Sequence, residues 1–290
     1  MSRTPVSDHL KAVVSCLPHP VRRAAGLVLC LISIWLPFPL KAQDAVETLE
    51  KLTYMTESYP PYQYEEDGEL TGLYIELLDL AFKEIGLSKS AQDLVRIVPW
   101  ARAYKRTLNL PNSALVGIVR SPMREELFQW VGPFSETSER FVIVHRLHED
   151  VEATSHPRGS FRIATVRGDI TLEYLERAGI GEDETLLTPD PDSIIDLIRK
   201  DRVHYWAYGQ DVIEFKLNEA DLLDEFEITA VLGDAAIYIA ANHATDKAAL
   251  KLLQQAMDKV RKSPEAKVLH EKYGITNTQP VRRLKHAKTR

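Results

Sequence analysis

The stretch Leu52-Thr53-Tyr54-Met55-Thr56-Glu57-Ser58-Tyr59-Pro60-Pro61-Tyr62 is a short apolar run stopped by two prolines. Over 52–55 it reads as a strand that ends before the prolines, which cannot donate to a ladder. Residues 65–68 read as a turn. From Gly72 an amphipathic helix follows, with Tyr74, Leu77, Leu78, Ala81, Phe82 and Ile85 on one face and Gly86 as its stop. The alternation continues as a strand over 96–98, a helix over 101–108 and a buried-type strand over 114–119. Strands spaced by helices of this length predict βα units and a mostly parallel sheet.

The pattern restarts after residues 141–145. It predicts a strand over 163–166, helices over 170–178 and 192–200, and strands over 203–208 and 228–232. A further strand over 236–241 precedes helices over 247–260 and 264–273. The last helices have no sheet of their own, so they are expected to return to the first block. The expected fold is therefore α/β, with two lobes joined by a two-stranded hinge. Residues 43–142 and 243–275 form the first lobe in this reading, and 143–242 the second. Two crossings, near 138–146 and 238–244, leave a cleft, a favoured place for a small ligand.

Both ends differ from this body. Arg22 and Arg23 precede seventeen uncharged residues (24–40), and Leu40-Lys41-Ala42 follows. A positive flank, an apolar run and a small residue describe a secretory signal peptide over 1–42, cut after Ala42. An uncleaved anchor is the alternative, for which the run is at the short limit. Both cysteines, Cys16 and Cys30, fall in this leader, so the exported chain has no thiol and no disulfide. Five basic side chains against one acidic in residues 1–42 turn the overall charge of −6 into −10 for 43–290. An acidic chain is a poor nucleic-acid binder. Residues 276–290, with five basic side chains and Pro280, read as a disordered tail.

Hydrophobic residues make up 44% of the chain and charged ones 27%, which suits a globular protein with a sizeable core. The nine histidines show no ligand spacing; His145 and His148 are three apart, but at a predicted crossing rather than on a helix. No nucleophile elbow, phosphate loop or His-Glu-x-x-His is present. No metal, cofactor or catalytic residue is expected.

Thr56-Glu57-Ser58-Tyr59-Pro60-Pro61-Tyr62, then Gly68 and Gly72-Leu73-Tyr74-Ile75-Glu76-Leu77, resembles the opening of the family 3 extracellular solute-binding proteins. Gly117-Ile118-Val119-Arg120-Ser121-Pro122-Met123-Arg124, with Phe128 and Gly132-Pro133-Phe134, resembles their second signature. Arg167-Gly168-Asp169 and Arg202-Val203 fit the second lobe. Pro99-Trp100-Ala101-Arg102 looks like a divergent branch. The resemblance covers roughly residues 50–275. It implies a periplasmic-binding-protein-like fold, no catalysis, a small-molecule ligand, an ABC permease partner in the inner membrane, a periplasmic location and a monomer.

It also implies a site. The arginine matching Arg124 grips the ligand carboxylate in the family, a role that suits a guanidinium fork. Gly117 would let backbone approach the ligand, and a helix starting near Gly168 and Asp169 would aim free N–H groups at an anion. Glu57 supplies an acid, while Tyr59 and Tyr62 give flat walls with polar tips. Trp100 and Tyr208 belong to cleft or core. The simpler alternatives are a surface Arg124 paired with Glu125, Glu126 or Asp67, and a solvated Glu57. Two positions depart from the amino-acid receptors: Gly209 stands where an acid usually holds the α-ammonium, and Val119 where a hydroxyl is common. Two other readings use the same fold, a sensory module acting in trans on a receptor or kinase and a dehydratase-type enzyme.

Overall fold

The computed structural model describes residues 40–147 and 162–275, with side chains from Gln43 onward. Residues 1–39 of the expected signal peptide, with Cys16 and Cys30, and also His148 and residues 276–290, lie outside the described residues.

The first half runs α1 (Leu40–Lys51), β1 (Thr53–Thr56), β2 (Tyr64–Glu66), β3 (Glu69–Thr71), α2 (Leu73–Ile85), α3 (Ala91–Leu94), β4 (Val95–Ile97), α4 (Trp100–Asn109), β5 (Ser113–Val119) and β6 (Gln129–Val131). The second continues as β7 (Glu139–Arg146), β8 (Ile163–Val166), α5 (Ile170–Arg177), β9 (Thr185–Thr188), α6 (Pro191–Arg199), β10 (Tyr205–Gly209) and α7 (Gln210–Glu219). It closes with β11 (Phe226–Ala235), β12 (Ile237–Ala241), α8 (Lys247–Val260) and α9 (Pro264–Lys272).

These strands make two five-stranded mixed sheets, ordered β4-β1-β5-β12-β6 and β11-β7-β10-β8-β9. In the first, β1 is parallel to β4 and β5, and β12 runs antiparallel between β5 and β6. In the second, β8 is parallel to β9 and β10, while β7 is antiparallel to β10 and β11. Each sheet is the centre of one lobe of an α/β fold. The predicted apolar stripe of α2 is buried as expected, from Tyr74 to Phe82.

Three sequence expectations are corrected. The sheets are mixed rather than mostly parallel, because β12 and β7 each run antiparallel to both of their neighbours. Helix α1, for which no element was expected, forms because Ala45 and Leu49 lie four apart and both bury. Residues 237–241, expected in the second lobe, belong to the first sheet. Ile237 pairs with Val119 and Ala241 with Ala114, while Ala235, two residues before Ile237, still pairs with Glu139 in the second sheet. The return crossing is thus made at Ala236. The outward crossing runs from Gly132 to Ser138, and Phe134 N–H donates to Ile237 C=O at 2.9 Å, tying the two crossings together. An aromatic stack supports them. Tyr62 lies on Tyr74 and Tyr74 on Phe134, each at 4.6 Å between ring centres.

Candidate functional site

The C-terminal end of β5 and the turn after it deliver the first lobe's cation. Arg124 N–H donates to Ser121 C=O, closing a turn that brings the side chain back under the sheet. The residue is only 6% exposed. Its Nη1 donates to Val119 C=O at 3.3 Å, and its Nη2 donates across the seam to Gly168 C=O at 3.1 Å. Nε lies 3.8 Å from Glu173 Oε1 of α5, and Ser121 Oγ donates to that same oxygen at 3.1 Å. Trp100 and Tyr104 of α4 hold the guanidinium against their faces at 5.5 and 5.6 Å. Arg124 is no surface residue; Arg120 makes the pair with Glu125 instead.

Arg124 borders a cavity of about 20 Å³ between the lobes. Glu57, Tyr59, Trp100, Gly117, Val119 and Asp169 line it with Arg124, so seven of the ten expected positions converge there. The other three flank it. Gly168 supplies its carbonyl to Arg124, Tyr208 meets the Tyr59 ring edge-on at 5.3 Å, and Tyr62 donates across the lobes to Asp211. Gln63, Tyr74 and Glu139 also line the cavity and were not expected. Gln63 and Glu139 are polar side chains at loop ends, which look solvated in sequence, while Tyr74 was read only as part of the core stripe of α2.

The cavity is rich in acid. Glu57, Glu139 and Asp169 face a single buried guanidinium. Desolvation pushes the Glu57 carboxyl well up, reinforced by Asp169 and opposed by Arg124. Burial lifts Glu139 to about 8, although the hydroxyls of Tyr74 and Tyr59 donate to its two oxygens at 2.7 and 3.1 Å. Asp169 is raised by burial too, held back by its bonds to Thr171. Those bonds correct the helix-end expectation. Asp169 caps α5 itself, accepting from Thr171 N–H at 2.9 Å and Thr171 Oγ1 at 2.6 Å. The helix therefore supplies its own anion.

Gly209 also has a physical explanation. A Cβ there would lie 2.2 Å from the Tyr59 hydroxyl, which reaches over from the first lobe toward Glu139. An acid at 209 has no room in this arrangement. Among the described residues no cluster of His, Cys, Asp and Glu is arranged to hold a metal ion.

Solved structures share the fold. A periplasmic His/Glu/Gln/Arg/opine family-binding protein from Silicibacter pomeroyi, in complex with lysine, is 15% identical, with TM-score 0.64, over 78% of this chain and 98% of that one. Solute receptors for L-cysteine of Neisseria gonorrhoeae match at 15% identity and TM-score 0.64, over 79% and 92%. A histidine kinase sensor domain similar to periplasmic binding proteins matches at 20% identity and TM-score 0.64, over 77% and 96%. No curated protein matches the chain. Residues 52–276, which hold both sheets, the cavity and Arg124, match a family directly, and the chain belongs to the bacterial extracellular solute-binding proteins, family 3.

Proposed function

We propose that this chain is a periplasmic receptor that captures a small carboxylate-bearing metabolite between its lobes and delivers it to an ABC permease. The observation that carries this reading is the buried Arg124 at the seam, its guanidinium touching both lobes. A cavity of about 20 Å³ holds about one water. A metabolite therefore enters only when the lobes part, and closure follows because the solute touches both. On entry its carboxylate displaces the Gly168 carbonyl and the Glu173 carboxylate from Arg124, exchanging a neutral and a distant partner for a charge-assisted fork.

Export places the receptor outside the inner membrane, with residues 1–42 as the leader and 43–290 as the working chain. The boundary between lobes lies at 132–138 and 236. The binding set is Glu57, Tyr59, Trp100, Gly117, Val119, Arg124 and Asp169, flanked by Tyr62, Gly168 and Tyr208.

A thermal-shift screen of amino acids, dicarboxylates, polyamines and opines tests the reading, since a ligand well above its Kd stabilises by a few kcal/mol. Arg124→Lys keeps the charge and loses the fork. It is expected to weaken the best carboxylate ligand at least about 10-fold. An unchanged Kd would remove Arg124 from the site.

A further inference from the structure

Gln63 follows the Tyr59–Tyr62 turn and is fully buried. Its backbone serves the fold: Tyr59 N–H donates to Gln63 C=O at 2.6 Å, and Gln63 N–H donates to Tyr59 C=O at 3.1 Å. Its side chain does not. Both Nε2 and Oε1 are buried without a hydrogen-bond partner, and the residue lines the interlobe cavity. A buried carboxamide left unpaired is costly, so such a group needs an explanation.

The space for it is built by the sheet. Gly117 lies in β5 with φ +82°, and a Cβ there would fall 2.3 Å from Gln63 Nε2. Only a glycine lets the carboxamide lie against β5 beside the cavity. The other polar walls are Glu57, Glu139 and Asp169, with Arg124 as the one guanidinium. Those carboxyls favour a solute that brings N–H donors as well as the carboxylate taken by Arg124.

We propose that Gln63 is a specificity-determining contact of the cavity, its free carboxamide reading a carboxylate-bearing solute that also carries N–H donors. This rests on the interlobe capture proposed above. Gln63 accepts one N–H through Oε1 and donates through Nε2 to the solute's oxygen. The carboxyls share the remaining N–H groups.

The test uses the exported chain with L-arginine, L-glutamine and succinate as probes, by thermal shift and calorimetry. Wild type is expected to bind L-arginine or L-glutamine more tightly than succinate, which has no N–H. Gln63→Met, close in shape and apolar, is expected to melt at or above wild type without probe and to bind the preferred amino acid about 10-fold or more weakly. Gln63→Glu loses the donor when ionised. Its affinity should be poor at pH 8 and recover toward wild type at pH 5. A Gln63→Met chain with unchanged affinity, or one that melts lower without probe, overturns the proposal, as does wild type that prefers succinate or binds none of the three. Failure of the parent reading looks different: Arg124→Lys would then bind the preferred probe as wild type does.

Discussion

At the scale of single residues, the seam is set by what Tyr59 and Gly209 permit each other. The Tyr59 hydroxyl donates to Glu139 at 3.1 Å only because position 209 has no side chain. The backbone at Gly209, with φ −60°, would accept any residue, so the demand is steric and not conformational. Gly209→Ala is therefore expected to displace Tyr59, cost roughly 1–3 kcal/mol in denaturant unfolding and weaken solute binding. Tyr59→Phe removes the colliding oxygen, so the double variant should recover part of that loss. A strictly additive cycle would show that the two residues do not meet in solution. The sequence marks Gly209 as a departure and offers no reason for it, because the reason is a side chain 150 positions away. That Arg124 and Glu57 line one cavity was legible from their motifs, whereas Trp100 was left between cleft and core. Gln63 and Glu139 were not legible, since a polar residue near a loop is normally solvated; Gln63 is placed instead against Gly117 of β5, and Glu139 under Tyr59 and Tyr74 of the other lobe.

At the scale of elements, periodicity exposed α2, α4, α5, α6, α8 and α9 but missed α1, which buries Ala45 and Leu49, and α7, which buries Val212, Ile213 and Leu217, and apolar runs exposed β1, β5, β8 and β10. The three-residue edge β6 leaves too little pattern to read. The sheet membership of β12 was hidden for another reason: its apolar run suits either lobe, and the choice is made by pairing with β5 and β6. Helix α8 then fixes the outward crossing. Asp246 caps it by accepting from Ala249 N–H at 2.8 Å. Farther along, Gln254 makes two bonds to the Gly132 backbone, accepting from its N–H at 2.8 Å and donating to its C=O at 3.0 Å. Two turns further, Arg261 donates to Pro133 C=O at 2.9 Å. Gln254→Ala strips both groups of Gly132 at once. It is expected to lower unfolding stability by about 1–3 kcal/mol, and Gln254→Glu, which keeps an acceptor but loses the donor to Gly132 C=O, should fall between. Melts within about 0.5 kcal/mol of wild type for Gln254→Ala would show that the crossing is held elsewhere.

For the molecule as a whole, the closed seam is an electrostatic compromise. Glu57, Glu139 and Asp169 lie in one small water-poor volume with one guanidinium, and burial raises the pKa of all three. Tyr59 and Tyr74 donate to Glu139, while Asp211 and Asp169 repel its charge. Parting the lobes returns these acids to water and to their ordinary range, so the closed form binds more protons than the open one. The sign follows: below about pH 4.5 the carboxyls are protonated in both forms and closure is unhindered, and as pH rises through about 8 the closed form must ionise Glu139 in place and loses that advantage. The solute-free protein is therefore expected to be more compact at pH 5 than at pH 8.5, read as a larger radius of gyration in solution scattering at the higher pH. Glu139→Gln cannot ionise, so it should flatten that difference while keeping Tyr59 and Tyr74 as neighbours. A solute with N–H donors should do at pH 8.5 what protons do at pH 5, by neutralising the same walls. Equal radii at both pH values, in wild type and variant alike, would mean that the acids do not govern closure.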